Sequence, residues 1–95
     1  MAKKVAAYQL TQRFKKDYKA LPKEIQESFE KKLILFLEDR GHPSLRVKRI
    51  QGTVNRWEGS VTMKYRFTFE LLENTAIFMT IGTQDILNRQ YHVFV

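Results

Sequence analysis

Apolar side chains recur along this chain with two different periods, and the period changes near residue 45. Before that point the spacing is helical. Phe14, Tyr18 and Leu21 fall on one face of a helix. Thr11, just ahead of them, is a residue type whose side-chain oxygen caps helix N-termini. Pro22 breaks that helix and suits the first turn of the next one. The second helix buries Ile25, Phe29, Leu33, Phe36 and Leu37. Gly41 reads as its C-cap, and His42-Pro43 as its stop. "VAAYQL", ahead of Thr11, reads as a first strand.

From Leu45 the apolar positions alternate. In "LRVKRI" Leu45 and Val47 face one way, Arg46 and Lys48 the other. In "RWEGSVTM" Trp57, Gly59, Val61 and Met63 share a face, and Arg56, Glu58, Ser60 and Thr62 share the opposite one. In "KYRFTFEL" Tyr65, Phe67, Phe69 and Leu71 oppose Lys64, Arg66, Thr68 and Glu70. Such alternation marks a sheet with one packed and one open face. "AIFMTI" is more uniformly apolar and reads as a central strand. The predicted fold is α+β: an N-terminal strand, a two-helix hairpin on one face of a mainly antiparallel sheet, and a short C-terminal helix or tail. Arg46, Lys48, Glu58, Ser60, Arg66 and Thr68 should then line a basic, hydroxyl-bearing groove on the uncovered face. "GTQDIL", residues 82–87, should close one end of it.

Length and charge sharpen this picture. The 95 residues fit one domain, 1–95, with a modest core. No apolar run approaches a membrane span of roughly 18 residues. "MAKKVAAYQL" lacks the apolar core of a signal peptide. The absence of cysteine rules out disulfides, thiolate catalysis and cysteine zinc sites, and fits a cytoplasmic protein. Net charge is +7, and it is concentrated. Arg46, Lys48, Arg49, Arg56, Lys64 and Arg66 stand against the single acid Glu58 between residues 41 and 66. A polyanion, most simply a nucleic acid, is the matching partner.

Arg66 is the sharpest candidate. An arginine in mid-strand needs a counter-charge, either a bound phosphate or Glu58 or Glu70 on its own face. Trp57, Tyr65, Phe67 and Phe69 have the opposite phase and are expected in the core rather than stacked on bases. Tyr91 is freer to reach the groove. His42, before a proline, suits a cap. His92 lies near the C-terminus. Two histidines fifty residues apart make no metal site, and no cofactor motif is present.

The order of elements, with "HPSLRVKRIQG", "WEGSV", "YRFTFEL" and "IGTQDIL", resembles the RelE/ParE superfamily, the toxin halves of bacterial type II toxin–antitoxin pairs. The likeness covers nearly the whole chain and is nearest the RelE, YafQ and HigB side. It implies a metal-independent endoribonuclease that cuts mRNA on the ribosome, an acidic antitoxin partner, and contact with DNA only through that complex. ParE-like members instead inhibit DNA gyrase. In the terms of this resemblance Arg66 matches the phosphate-binding arginine and Tyr91 a C-terminal aromatic. Family lysines fall near Glu58 and Ser60 and are absent here, leaving Lys48, Arg49, Arg46 and Lys64 to hold RNA. Gln84 occupies a slot filled by a catalytic His in YafQ-like members and an Arg in RelE. A glutamine transfers no proton at neutral pH. The chain is then a natural variant with weak or no cleavage, a form inactivated by a His→Gln change, or an enzyme using Glu58, Asp85, His42 or His92 instead.

Overall fold

In the computed structural model the described residues are 3–85 and 87. The strand β1 (Ala7–Leu10) leads into α1 (Gln12–Lys19) and α2 (Lys23–Glu38). A single 3₁₀ turn (Pro43–Leu45) follows, then β2 (Lys48–Arg49), β3 (Trp57–Ser60), β4 (Tyr65–Leu72) and β5 (Thr75–Thr83). The sheet order is β1-β5-β4-β3-β2. Among the described strands only β1 and β5 pair in parallel. A parallel pair cannot be joined by a tight turn, and the helical hairpin lies in the connection. The architecture is therefore the expected α+β one, with β5 inside the sheet.

Thr11 fixes where α1 starts and where it lies. Its hydroxyl oxygen accepts from the Phe14 N–H at 3.0 Å and donates to the Met79 carbonyl on β5 at 3.0 Å. Gln26 closes the hairpin by donating to the Tyr18 carbonyl at 2.9 Å. The helices contribute Phe14, Phe29 and Phe36 to a core completed by Phe67, Phe69 and Phe78 of the sheet. Phe36 meets Phe69 edge-on, centroids 4.9 Å apart at 82°. Such pairs add about 0.5–1.5 kcal/mol each to the burial of the rings. Gly59 lies opposite Phe67 in the ladder. A Cβ at Gly59 would come within 2.3 Å of the Phe67 ring, so the glycine is what admits that ring. Trp57 and Tyr65 pack against the same core, in line with their phase in the sequence.

The structure departs from the sequence pattern in four places. Leu45 is buried at the end of a 3₁₀ turn, not in a strand, because Pro43 supplies a helical φ at the first position and His42 caps the turn through Nδ1, 3.1 Å from the Ser44 N–H. Arg46 consequently sits in the left-handed region (φ 49°), outside the sheet. β3 ends at Ser60, and 61–64 is a turn in which the Thr62 hydroxyl accepts from the Lys64 and Tyr65 N–H groups, both at 3.3 Å. Val61 and Met63 are therefore turn residues, the former buried and the latter exposed. α2 ends at Glu38 with Asp39 as its C-cap. The Asp39 carboxylate accepts from the Lys3 and Gly41 N–H groups, which hold it below the usual carboxylate range. Finally, the face away from the helices is closed at its centre, with Ser60, Thr68 and Thr80 all buried. The Thr68 and Thr80 hydroxyls satisfy each other at 2.6 Å.

The expected C-terminal helix or tail, Asn88 to Val95, lies outside the described residues, as do Tyr91 and His92; Gln84, Asp85 and Leu87 are helical. Among the described residues no helix is long and apolar enough to cross a membrane.

Candidate functional site

Strand register assembles the site. Lys48 stands opposite Glu58, Glu58 opposite Thr68, and Thr68 opposite Thr80. In the next row Ser60 stands opposite Arg66, and Arg66 opposite Gly82. The intervening Phe67 and Phe69 belong to the helix-side core, so both rows share the other face. Beyond Thr83 the Gln84 N–H donates to the Lys64 carbonyl at 2.9 Å, extending the ladder one step. The Lys64 and Gln84 backbones thus lie roughly 7 Å beyond the Arg66–Gly82 row.

Arg66 is the centre of this surface, and it is held on two sides. Nη1 donates to the Ser60 hydroxyl at 2.9 Å, to the Thr62 carbonyl, and more weakly to its neighbour's Tyr65 carbonyl at 3.4 Å. Nε faces Glu58 Oε1 at 3.7 Å, an ion pair without hydrogen-bond geometry. Both side chains are about as buried as each other, 13% and 15% exposed. Lys48 reaches the same Glu58 oxygen at 4.0 Å from a largely exposed position. Nη2 makes no hydrogen bond among the described residues. Glu70 is taken by Arg56 at 3.1 Å, which leaves Glu58 as the acid of the Arg66 pair.

Beside Arg66, Gly82 is buried, yet a Cβ there would meet no atom of the described residues within 4 Å. Met63, Lys64, Thr83, Gln84 and Asp85 line an adjoining cleft of about 370 Å³. The arrangement offers cations for an anion, one carboxylate within reach of the arginine, and a glutamine that donates or accepts without moving a proton. Among the described residues no three His, Asp or Glu side chains come together to hold a metal ion.

Of the residues singled out in the sequence, Arg66, Glu58 and Lys48 share this face, and Lys64 and Gln84 line the cleft at the end of β5. Arg46 is outside the sheet, and Arg49 pairs with Trp57 and so has the phase of the opposite face. His42 is occupied as a cap. The anchoring of Arg66 by Ser60 and Thr62 leaves no signature in the sequence pattern. Alternation put Ser60 and Arg66 on one face, but only the length of the 61–64 turn makes them neighbours.

No protein-family model matches the chain, and no curated protein does. Solved structures do match. RelE in the RelB-RelE antitoxin-toxin complex from Methanococcus jannaschii is similar at TM-score 0.73 and 19% identity, over 87% of this chain and 98% of that one. YafQ from E. coli is similar at TM-score 0.72 and 16% identity, over 84% and 94%. The chain has the RelE/YafQ fold. A YafQ variant carrying a histidine-to-glutamine substitution shares it as well, at TM-score 0.66 and 20% identity over 84% of this chain and 94% of that one. The RelE-like fold accounts for the sheet and the helical hairpin.

Proposed function

We propose that this chain is the toxin of a type II toxin–antitoxin pair and an endoribonuclease of ribosome-bound mRNA, attenuated by glutamine at position 84. The observation that carries the reading is the Arg66–Glu58 pair on the sheet face, with Arg66 opposite Gly82 in the ladder and near the cleft lined by Lys64 and Gln84, in a RelE-like fold. Neighbours with that fold occur as antitoxin–toxin complexes. A basic chain of net charge +7 calls for an acidic antitoxin, which would cover this face. DNA is contacted only through the antitoxin, and the place of action is the cytoplasm.

In this reading the scissile phosphate takes the free edge of Arg66, which stabilises the negative charge that grows as the 2′-hydroxyl attacks. Lys64 and Lys48 hold flanking phosphates. Glu58, released from Arg66 by the incoming phosphate, accepts the 2′-hydroxyl proton. The P–O5′ bond breaks as the cyclic phosphate forms, and the leaving oxygen takes its proton from water. Gln84 hydrogen-bonds to that oxygen but cannot protonate it, and a missing general acid costs about 10²–10⁴-fold. Tyr91 and His92 carry no part of this reading.

A second reading, a non-cleaving toxin that binds DNA gyrase or only its antitoxin, is favoured by the same glutamine and by the pairing of Glu58 with two cations. Primer extension on mRNA incubated with ribosomes and the protein separates the two. Discrete cuts that disappear with Arg66→Ala support the ribonuclease. Intact mRNA together with inhibited supercoiling by gyrase supports the second.

A further inference from the structure

The way Arg66 is held goes beyond supplying a cation. A guanidinium presents two bidentate edges to a phosphate, Nη1–Nη2 and Nε–Nη2. Here the first edge is spent, because Nη1 is bound by the Ser60 hydroxyl and the Thr62 and Tyr65 carbonyls. The Ser60 hydroxyl also donates to the Thr62 carbonyl at 3.0 Å. One buried hydroxyl therefore couples the strand, the turn and the arginine. The Thr62 hydroxyl in turn fixes the turn through the Lys64 and Tyr65 N–H groups. The second edge is the open one: Nη2 makes no hydrogen bond among the described residues, and Nε is only loosely paired to Glu58 at 3.7 Å.

We infer that Ser60 is a positioning residue, whose hydroxyl locks Nη1 of Arg66 so that the Nε–Nη2 edge is presented to an RNA phosphate and Glu58 is the group displaced. The inference rests on the proposed RNA-phosphate role of this face. It places in Ser60 a function that the site would not otherwise need, since a serine at 7% exposure neither reaches a substrate nor carries charge. Without its hydroxyl the guanidinium keeps one firm anchor, the Thr62 carbonyl, about which it can swing toward Glu58.

The test is a double-mutant cycle on the full-length protein, with a single-stranded RNA oligomer made uncleavable by 2′-O-methylation as the probe. Thermal melting verifies each fold, and Ser60→Thr restores the hydroxyl where Ser60→Ala removes it. The parent should bind; Ser60→Ala should bind about three- to tenfold more weakly, the worth of one hydrogen bond. Ser60→Thr should regain most of that loss. In the Arg66→Ala background Ser60→Ala should have no further effect, because a residue acting through Arg66 has nothing left to position. A Ser60→Ala variant that binds like the parent, or that weakens binding equally with and without Arg66, overturns the positioning role alone. A parent that binds no more tightly than Arg66→Ala overturns the phosphate reading of the face and this inference with it.

Discussion

Two glycines of this sheet should respond to the same substitution in opposite directions. Gly59 lies under Phe67, and the Cβ of an alanine would stand 2.3, 2.7 and 2.8 Å from three ring carbons. Ordinary contact begins near 3.4 Å, so the ring must retreat by about 1 Å. It has nowhere to go: Phe67 is 1% exposed and meets Phe29, Phe36, Phe69 and Phe78 at centroid distances of 5.6, 5.9, 5.8 and 5.6 Å. Overpacking of this kind costs about 1–3 kcal/mol, or a fall in Tm of about 4–24 °C for a domain of this size. At Gly82 the added carbon meets no described atom within 4 Å. The usual advantage of alanine over glycine in a strand, about 0.5–1 kcal/mol, should then appear as a rise in Tm of about 2–8 °C. Function should invert the ranking. Gly82→Val projects a side chain into the space beside Arg66, and RNA binding should weaken about tenfold or more as the charged contact is lost. Circular-dichroism melts and RNA titrations of the purified variants read both effects. A stable Gly59→Ala protein would show that the core around Phe67 can yield. A Gly82→Val protein that keeps full RNA affinity would show that the phosphate binds elsewhere.

Further outcomes follow from the same geometry. Glu58→Gln should leave RNA affinity unchanged or raise it, since Arg66 loses its competing carboxylate, while cleavage falls by about 10²-fold or more; equal losses in both would mean that Glu58 only holds Arg66. The slope of log affinity against log salt should be steep and should flatten by about 0.7 in Arg66→Ala, the release of one counterion-bearing phosphate contact on a single strand. Tyr18, desolvated between the helices and hydrogen-bonded to Glu30, has its phenol pushed up from 10.0 to about 12. The folded state therefore holds that proton more tightly than the unfolded chain, and its contribution is intact below pH 10 and lost as pH rises toward 12. Tyr18→Phe should remove this part of the alkaline loss seen in denaturation at fixed pH values.

The change of period from helical to alternating carried most of the architecture, because both periods bury their apolar residues against one another. Phe14, Phe29 and Phe36 meet Phe67, Phe69 and Phe78 as that pattern requires. Where it misled, local chemistry overrode periodicity. Alternation runs on through Val61 and Met63, but Thr62 turns the chain there with side-chain hydrogen bonds rather than with a glycine or proline. Leu45 and Arg46 also fit the alternation, yet Pro43 and the His42 cap wind the first of them into a 3₁₀ turn. For the site, alternation named the face of Arg66, Glu58 and Lys48 correctly. It could not tell which of Glu58 and Glu70 would pair with Arg66, since that depends on Arg56 lying nearer Glu70. Nor could it show that Thr68 and Thr80 would be buried on a face expected to be open.

The measurement that bears most directly on the whole account is the rate of mRNA cleavage on ribosomes by Gln84→His beside the parent. Position 84 follows the end of β5, its N–H bonded to the Lys64 carbonyl, and an imidazole there would titrate near neutrality and could protonate the leaving oxygen. Cleavage should rise by about 10²–10⁴-fold, with RNA affinity little changed and with all activity abolished by Arg66→Ala in the same chain. A Gln84→His protein that cuts no faster than the parent, or that goes on cutting without Arg66, would contradict the claim that this face is a ribonuclease site lacking one proton donor.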